Sequence, residues 1–390
     1  MQLLLTLLLS AVVNGAAIQK RDPPVGGDVV AAQVQALAES MRTATPKKAM
    51  KVEEITPRFA GAKRLRLQYG PYKLKAANST TRVGNGMSMD KGGTGYQYLV
   101  ADDYPRDVTV LETETMILDE KFQRADTKDG IYNHHNVFMD FTSAPVAAFG
   151  CEDLGKAATI PISVLSGGAT EVAGMTFAAA KNEIKSGYYL TKDRHVLNMM
   201  DVVNYNNVER TVYISAEIEF LPGKVPGYLD ARQQLVDPGL CSGESGTGIH
   251  PPHGVTKFSV NSTGIVVAHD GYIVNMRGHL HDGGVNIVFK VNNKEICNSV
   301  ATYGGPGHTS HTSDGKVWET IATTTLCDTP LKVTKGDKIY MEAHYDLEQH
   351  PSREQGGHGG MKMGAMKTVL DGDDGAEQMA LIVTHFAYAK

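Results

Sequence analysis

Two histidines one residue apart are the side chains of this sequence best suited to chemistry. His279 and His281 lie in residues 275–284 (NMRGHLHDGG), between two runs with strand character. Residues i and i+2 of a strand point to the same face, so both imidazoles would project together at a spacing that suits one metal ion. The alternative is a pair of polar residues on a solvated strand face.

A second pair, His134 and His135, is consecutive, in the stretch YNHHNVF. Adjacent strand residues point to opposite faces, so these two imidazoles can share a metal only where the strand bends or bulges. The turn residues just upstream, 128–130 (KDG), allow such a bend. The alternative is an exposed loop pair.

A methionine opens the last apolar strand of the sequence. Met379 in that position usually belongs to a core, but a thioether is also a soft metal ligand. Imidazoles together with a thioether select copper, especially Cu(I), over magnesium or calcium. Met361 and Met363, in the glycine-rich stretch GGHGGMKMGAM, are further candidates because that loop is able to fold over a metal.

The elements that must position these side chains are predicted to be strands. From Thr56 onward, short alternating or β-branched runs are bounded by Gly, Asn, Asp and Pro, which predicts an all-β chain of sandwich type. The predicted order is a signal peptide at 1–17, a pro-region or short N-terminal helix at 18–55, a first β-sandwich at 56–222, a Pro- and Gly-rich linker at 223–254 and a second β-sandwich at 255–390.

The composition indicates an exported globular protein. The chain has 390 residues, 42% hydrophobic and 21% charged, with net charge −5, and it lacks a basic stripe for nucleic acid. Its apolar start is of signal-peptide length, and no later segment reaches the length of a membrane span. Asn78 and Asn261 begin glycosylation sequons, which agree with secretion.

Four cysteines in an exported chain predict two disulfides, with three possible pairings. Cys297 and Cys327 lie in one compact segment and are the favoured pair. Cys151 and Cys241 would then form the other. No serine-hydrolase elbow, zinc-protease motif, P-loop or dinucleotide fingerprint competes with the histidine motifs.

The order of these motifs resembles a known enzyme group. His-His in the first half, His-x-His in the second and Met before the last strand resemble the copper type II, ascorbate-dependent monooxygenases, such as peptidylglycine α-hydroxylating monooxygenase and dopamine β-monooxygenase. The chain resembles the stress up-regulated nodulin-like family still more closely. That similarity is clearest over 271–335, where a strand, His-x-His, cysteine, Tyr-Gly and a second cysteine follow in order.

The resemblance implies two jelly-roll domains with one copper each, facing a solvent cleft. It implies an electron-transfer copper at His134 and His135. A second copper, where oxygen binds and a substrate C–H bond is broken, would be held by His279, His281 and Met379. Arg277 matches an arginine that binds the substrate carboxylate in the peptide-hydroxylating enzyme. The residues Asp282 and Asn275 are candidate partners that would fix the imidazole tautomers.

The sequence departs from the family at the third ligand of the first copper. The family has a histidine there, whereas the alignment places Met200 at this position, with His195 five residues earlier. Either Met200 binds the metal, or His195 does, or the site is incomplete. The two residues differ in strand phase and should face opposite ways.

These features together predict a secreted copper monooxygenase. It would use two copper ions, O2 and a reductant such as ascorbate to hydroxylate a C–H bond of a small organic or peptide-like substrate. The alternative is a secreted, non-catalytic copper-binding or cell-surface protein that keeps the same fold. The altered third ligand of the first site favours this alternative.

Overall fold

A computed structural model describes most of the chain after residue 45. The described residues are 46–79, 94–140, 143, 146–152, 163–169, 174–181, 183–239, 241–242, 249, 251, 254–311, 317–351 and 378–389. The predicted signal peptide, Met361 and Met363 lie outside them. All of the described residues belong to one compact unit, Ser40–Lys390.

Strands account for nearly all of the regular structure that is described, which confirms the predicted all-β fold. The first half contains β1 (Pro46–Lys47), β2 (Lys51–Ile55), β3 (Lys63–Leu74), β4 (Thr94–Ala101), β5 (Val108–Leu118), β6 (Ile131–Asp140), β7 (Phe149–Cys151), β8 (Val164–Gly168), β9 (Gly174–Thr176), β10 (Ser186–Leu190), β11 (Val196–Asn204), β12 (Arg210–Pro222) and β13 (Leu229–Val236). The second half contains β14 (Lys257–Asn261), β15 (Ile265–Val267), β16 (Gly271–Leu280), β17 (Gly284–Val291), β18 (Lys294–Tyr303), β19 (Thr309–His311), β20 (Val317–Glu319), β21 (Ile321–Thr324), β22 (Leu331–Val333), β23 (Lys338–Asp346) and β24 (Ala380–Tyr388).

These strands form three large sheets and a small hairpin. A five-stranded sheet has the order β1-β4-β11-β6-β8. A ten-stranded sheet has the order β2-β3-β12-β5-β10-β13-β24-β16-β22, with β9 paired to β5. A seven-stranded sheet has the order β21-β18-β17-β23-β15-β7, with β14 paired to β23, and β19 pairs with β20. The two histidine pairs therefore lie on different sheets. His134 and His135 are in β6 of the five-stranded sheet, whereas His279 is in β16 of the ten-stranded sheet and His281 directly follows that strand.

The buried faces follow the alternation that strand geometry imposes. In β23, Ile339, Met341, Ala343 and Tyr345 are buried while the intervening residues are not. Buried side chains form two hydrophobic clusters. One is built mainly from the first half of the chain, and the other mainly from the second half. Each cluster is filled from several sheets, as expected for sandwich packing.

The predicted linker contains a strand that belongs to the ten-stranded sheet. β13 pairs in parallel with β10 of the first half and antiparallel with β24 of the second half. Its buried positions include Gln233 and Gln234 as well as Ala231 and Val236. The glutamines hid the apolar alternation, so the sequence indicated no strand here. The division into two jelly-roll domains stays a prediction.

The last ten residues of the predicted pro-region or N-terminal helix contain two strands. Residues 46–55 include β1, which pairs with β4, and β2, which pairs with β3 at the edge of the ten-stranded sheet. The sequence of β2, KVEEI, is mostly exposed, and it is held by backbone pairing with Arg64 to Gln68. β2 is therefore held in the sheet by its pairing with a strand that follows it in sequence.

Both predicted disulfides are confirmed. Cys297 is bonded to Cys327 and Cys151 to Cys241. Asn78 and Asn261, the predicted glycosylation sites, are exposed. In the part of the chain that is described, no helix has the length and apolar character that crossing a bilayer would require.

Candidate metal centre

His279, His281 and Met379 share one face of the ten-stranded sheet. His279 opposes Leu381 in the antiparallel pairing of β16 with β24. One step further, the backbone N–H of His281 donates to the carbonyl of Met379 over 3.3 Å, so these two residues oppose each other. Directly opposed side chains lie on one face with Cβ atoms about 4.5–5.5 Å apart. The thioether therefore lies on the same side as both imidazoles. We call these three residues the carboxy-terminal triad.

Two tyrosines, the half-buried Tyr303 and the buried Tyr345, hold the backbone of the carboxy-terminal triad. The Tyr303 hydroxyl accepts a hydrogen bond from Gly283 N (2.8 Å) and donates to Gly284 O (2.9 Å), in the turn that follows His281. The Tyr345 hydroxyl donates to the carbonyl of Met379 over 2.8 Å. Burial, with the nearby Asp282 charge, raises the pKa of the Tyr303 hydroxyl, which therefore stays a donor.

The turn after His281 is further fixed by its glycine and its aspartate. Gly283 has φ +105°, and a Cβ there would meet the side chain of Leu347. The carboxylate of Asp282 accepts hydrogen bonds from Thr320 Oγ1 (3.0 Å) and Ile321 N (3.1 Å). Asp282, predicted as a partner of an imidazole, is thus seen anchoring the turn to the start of β21.

The Cys297–Cys327 disulfide reaches β16 just upstream of the histidines. Met276 and Cys327 exchange two backbone hydrogen bonds, each of 2.9 Å. Cys297 lies in β18 of the neighbouring sheet. The disulfide therefore ties the strand that carries His279 to the sheet beside it.

His134 and His135 lie at a bulge of β6. Across from β6, Asp201 opposes His135 and the next residue, Val202, opposes Asn133, so His134 is the extra residue. Such a bulge is what two consecutive histidines need in order to face one metal. Their rings are stacked, with centroids 4.1 Å apart. The turn predicted before the strand is present as a single 3-10 turn, Thr127–Asp129, ending at Gly130 with φ +70°.

Asp201 completes a group of three donors with these histidines. One ligand atom of each of His134, His135 and Asp201 lies within 4.8 Å of the others. His134 Nδ1 is 2.9 Å from Asp201 Oδ2, and both residues are buried. We call these three residues the amino-terminal triad.

The two residues predicted as third ligand are not part of the amino-terminal triad. Met200 is fully buried in the hydrophobic core of the first half, and it opposes Asn136 on the face of β11 away from Asp201. His195 is exposed and precedes β11, so it lies about 20 Å along the strand from Asp201 at roughly 3.3 Å per residue. The sequence did hold a signal for Asp201, because a lone carboxylate in the apolar run MMDVV is costly unless it is paired.

The two histidine pairs are close enough to influence each other. Burial lowers the pKa of the His135 imidazole well below its usual range. Charges on three other imidazoles would lower it further, those of His134, His279 and His281. The five-stranded sheet and the ten-stranded sheet therefore bring the amino-terminal triad and the carboxy-terminal triad into one neighbourhood.

A comparison with protein families bears on the second half of the chain. Residues 251–361 match the family described as Stress up-regulated Nod 19. The matched segment is a minority of the chain, and it contains Arg277, both histidines of the carboxy-terminal triad and the Cys297–Cys327 disulfide. It therefore supports the nodulin-like part of the resemblance, whereas the relation to the copper monooxygenases stays a prediction. No curated protein matches the chain significantly.

Several solved structures show a distant likeness to this chain. PNGF-II is 9% identical with a TM-score of 0.36, and the match covers 83% of this chain and 65% of PNGF-II. Recombinant N-glycanase F (PNGase F) is 8% identical with a TM-score of 0.37, covering 85% and 96%. PNGase F from Flavobacterium meningosepticum, a glycosylasparaginase, is 11% identical with a TM-score of 0.35, covering 84% and 96%. Likenesses at this level carry no argument about function.

The nodulin-like segment also carries a polar row on the triad face of β16. Asn275 and Arg277 precede His279 at alternate positions of that strand, so they share its face. Asn275 Nδ2 donates to Thr176 O over 2.7 Å, which leaves its Oδ1 facing His385 Nδ1 at 2.7 Å. Asn275, the other predicted imidazole partner, therefore orients His385 rather than a residue of either triad.

The sequence analysis missed His385. This histidine is buried in β24, and the ring of Phe177 lies 4.8 Å away, edge to face. Burial and then the charge of Arg277 lower the pKa of His385 to about 3. His385 is therefore neutral, and it lies close enough to Arg277 to feel the charge of that guanidinium.

Proposed function

We propose that this protein is a secreted copper-dependent monooxygenase that hydroxylates a C–H bond of a small organic or peptide-like substrate with O2 and a reductant such as ascorbate. The observation that supports the proposal most is the carboxy-terminal triad, in which Met379 directly opposes His281 on the face shared with His279. Two disulfides and two exposed sequons agree with the secretory route.

The donor set of the carboxy-terminal triad fits copper. Imidazole is a borderline donor and a thioether is a soft one, so the set favours copper over magnesium and calcium, and three protein donors leave room for a further ligand. When bound there, copper would supply one-electron redox chemistry and the activation of dioxygen. His134 and His135 would hold the second ion that the resemblance implies.

The chain's own residues would position that chemistry. β16 and β24 are neighbouring strands inside the ten-stranded sheet, so the donors stand on rigid elements. Tyr303 and Tyr345 hold the backbone on both sides of the triad. Arg277 is two residues from His279 on the same face, about 7 Å along the strand, where its guanidinium would bind an anionic group of a substrate.

Oxygen uptake by the copper-loaded protein tests the proposal. With ascorbate and a panel of small carboxylate-bearing peptides and amines, we expect uptake above the ascorbate background with at least one substrate. Met379→Leu keeps the volume and removes the sulfur, so this variant should return uptake to background. His344→Ala is the matched control, because His344 is a half-exposed histidine of β23 outside both triads.

A second candidate is a secreted copper-binding protein without turnover. It is favoured by Asp201, since the amino-terminal triad contains a carboxylate where the family has a third histidine. A carboxylate is a hard donor and stabilises Cu(II), which hinders electron delivery from that site. Bound copper with no uptake in any condition would select this candidate, and failure to bind copper would refute both.

A further inference from the structure

The carboxylate of Asp201 has one oxygen that is used and one that is not. Asp201 Oδ2 is 2.9 Å from His134 Nδ1. Asp201 Oδ1 is buried and has no hydrogen-bond partner among the residues that the structure describes. A buried polar atom left without a partner costs about 1–3 kcal/mol, so such atoms usually mark a missing partner.

The three residues of the amino-terminal triad lie close enough together to hold one cation. One donor atom from each of the three residues of the amino-terminal triad lies within 4.8 Å of the others. The bulge turns both imidazoles toward the same side of β6, and Asp201 faces His135 from β11. The accessible surface of His135 is intermediate between buried and exposed, so this side of the site is not completely closed to solvent.

We infer that Asp201 is the third ligand of a metal site with His134 and His135, and that this site takes a borderline divalent cation such as Zn²⁺ or Fe²⁺ in preference to Cu(I). Two imidazoles with one carboxylate are the donors of catalytic zinc sites and of mononuclear iron(II) sites. The same set lacks the sulfur that Cu(I) prefers.

The contrast with the carboxy-terminal triad strengthens this assignment. Both triads contain two imidazoles, but the third donor is a thioether in the carboxy-terminal triad and a carboxylate in the amino-terminal triad. One protein thus presents a hard and a soft three-donor set in one neighbourhood, and the two should load with different metals. This inference does not rest on the proposed oxygenase activity.

A competing explanation is that Asp201 only orients His134. In that role its carboxylate would accept the Nδ1 proton, and the metal would meet Nε2 alone. Loss of such an outer partner lowers metal affinity by about 10–100-fold whatever the metal. A metal-binding carboxylate instead contributes charge and an oxygen donor that matter far more to Zn²⁺ than to Cu(I).

Affinities of the full chain for Zn²⁺ and Cu(I), measured by chelator competition, separate the two roles. The measurements use a His279→Ala, His281→Ala background, so that only the amino-terminal triad binds. Asp201→Asn keeps the shape and an acceptor for His134. We expect it to lower Zn²⁺ affinity by more than about 100-fold and Cu(I) affinity by less than about tenfold. Glu53→Gln, on the exposed edge strand β2, is the control.

An equal loss for both metals in Asp201→Asn would overturn the assignment, and so would no loss at all. A measurement on the unaltered protein guards against misfolding of the variant. X-ray absorption with one equivalent of Zn²⁺ should show two imidazoles and oxygen donors. Four imidazoles, or a sulfur, would place the ion elsewhere and also overturn the assignment. Oxygen uptake is not a readout of this test, which compares metal affinities and metal ligands at the amino-terminal triad alone.

Discussion

The hydroxyl of Tyr303 offers the sharpest test of how the carboxy-terminal triad is held. It accepts a hydrogen bond from Gly283 N–H and donates one to Gly284 O, and both glycines are buried. The ring of Tyr303 stacks on His350 with centroids 3.7 Å apart. Tyr303→Phe keeps that stacking and removes only the two hydrogen bonds.

The expected magnitude follows from those two bonds. A buried backbone group that loses its partner costs about 1–3 kcal/mol, and Tyr303 is only half-buried, so water offsets part of the loss. We therefore expect the free energy of unfolding in urea to fall by about 2 kcal/mol. The turn also sets the position of His281. Copper affinity at the carboxy-terminal triad should fall by about tenfold, as for other outer-shell partners.

A control variant and the amino-terminal triad show whether the effect of Tyr303→Phe is specific to the carboxy-terminal triad. Tyr340→Phe, a half-exposed tyrosine of β23 beside Lys290, should change neither quantity. Zn²⁺ affinity at the amino-terminal triad should also stay constant in Tyr303→Phe. The reasoning is refuted if Tyr303→Phe unfolds and binds copper like Tyr340→Phe.

Two further predictions concern the scaffold. Arg64→Leu removes a buried guanidinium that pairs with Glu217 at 2.6 Å, and we expect a loss of about 3–5 kcal/mol in urea unfolding at neutral pH. Burial raises the pKa of Glu112, and the charge of Arg64 opposes that rise, so the pKa of Glu112 should be higher still in Arg64→Leu. The folded variant then binds more protons, and the stability loss should shrink as pH falls toward the pKa of Glu112. A stability loss that grows as pH falls would contradict the role given to Arg64. Replacing both Cys297 and Cys327 by alanine opens a loop with a sequence separation of 30, so we expect the free energy of unfolding to fall by about 3–4 kcal/mol. Copper binding at the carboxy-terminal triad should also weaken. Unchanged copper affinity would show that the disulfide does not hold β16 in place.

Much of the carboxy-terminal triad could be predicted from sequence because its geometry is local. The i, i+2 spacing of His279 and His281 determines their common face once β16 is a strand. The pairing that sets Met379 against His281 depends on β24 lying next to β16, and only the order of motifs suggested it. Tyr303 and Tyr345 gave no signal, because their role depends on backbone atoms of distant residues.

The amino-terminal triad was only half predictable for a related reason. The bulge at His134 is a register shift between β6 and β11, and a register shift is set by two strands together. The alignment with the family placed Met200 at the third-ligand position, but its strand phase buries it in the core. Asp201, its neighbour, faces the histidines because successive strand residues alternate.

The closeness of the two triads has an electrostatic consequence for metal loading. A divalent ion at His134 and His135 would add positive charge near His279 and His281, because the two histidine pairs lie in one neighbourhood. The negative charge of Asp201 cancels part of that repulsion, whereas a third histidine or a methionine would cancel none. A monovalent ion at the carboxy-terminal triad adds less charge than a divalent one. The pairing of a carboxylate-containing site with a thioether-containing site is therefore the arrangement in which both sites fill most easily, and it favours Cu(I) in the second site once the first is occupied.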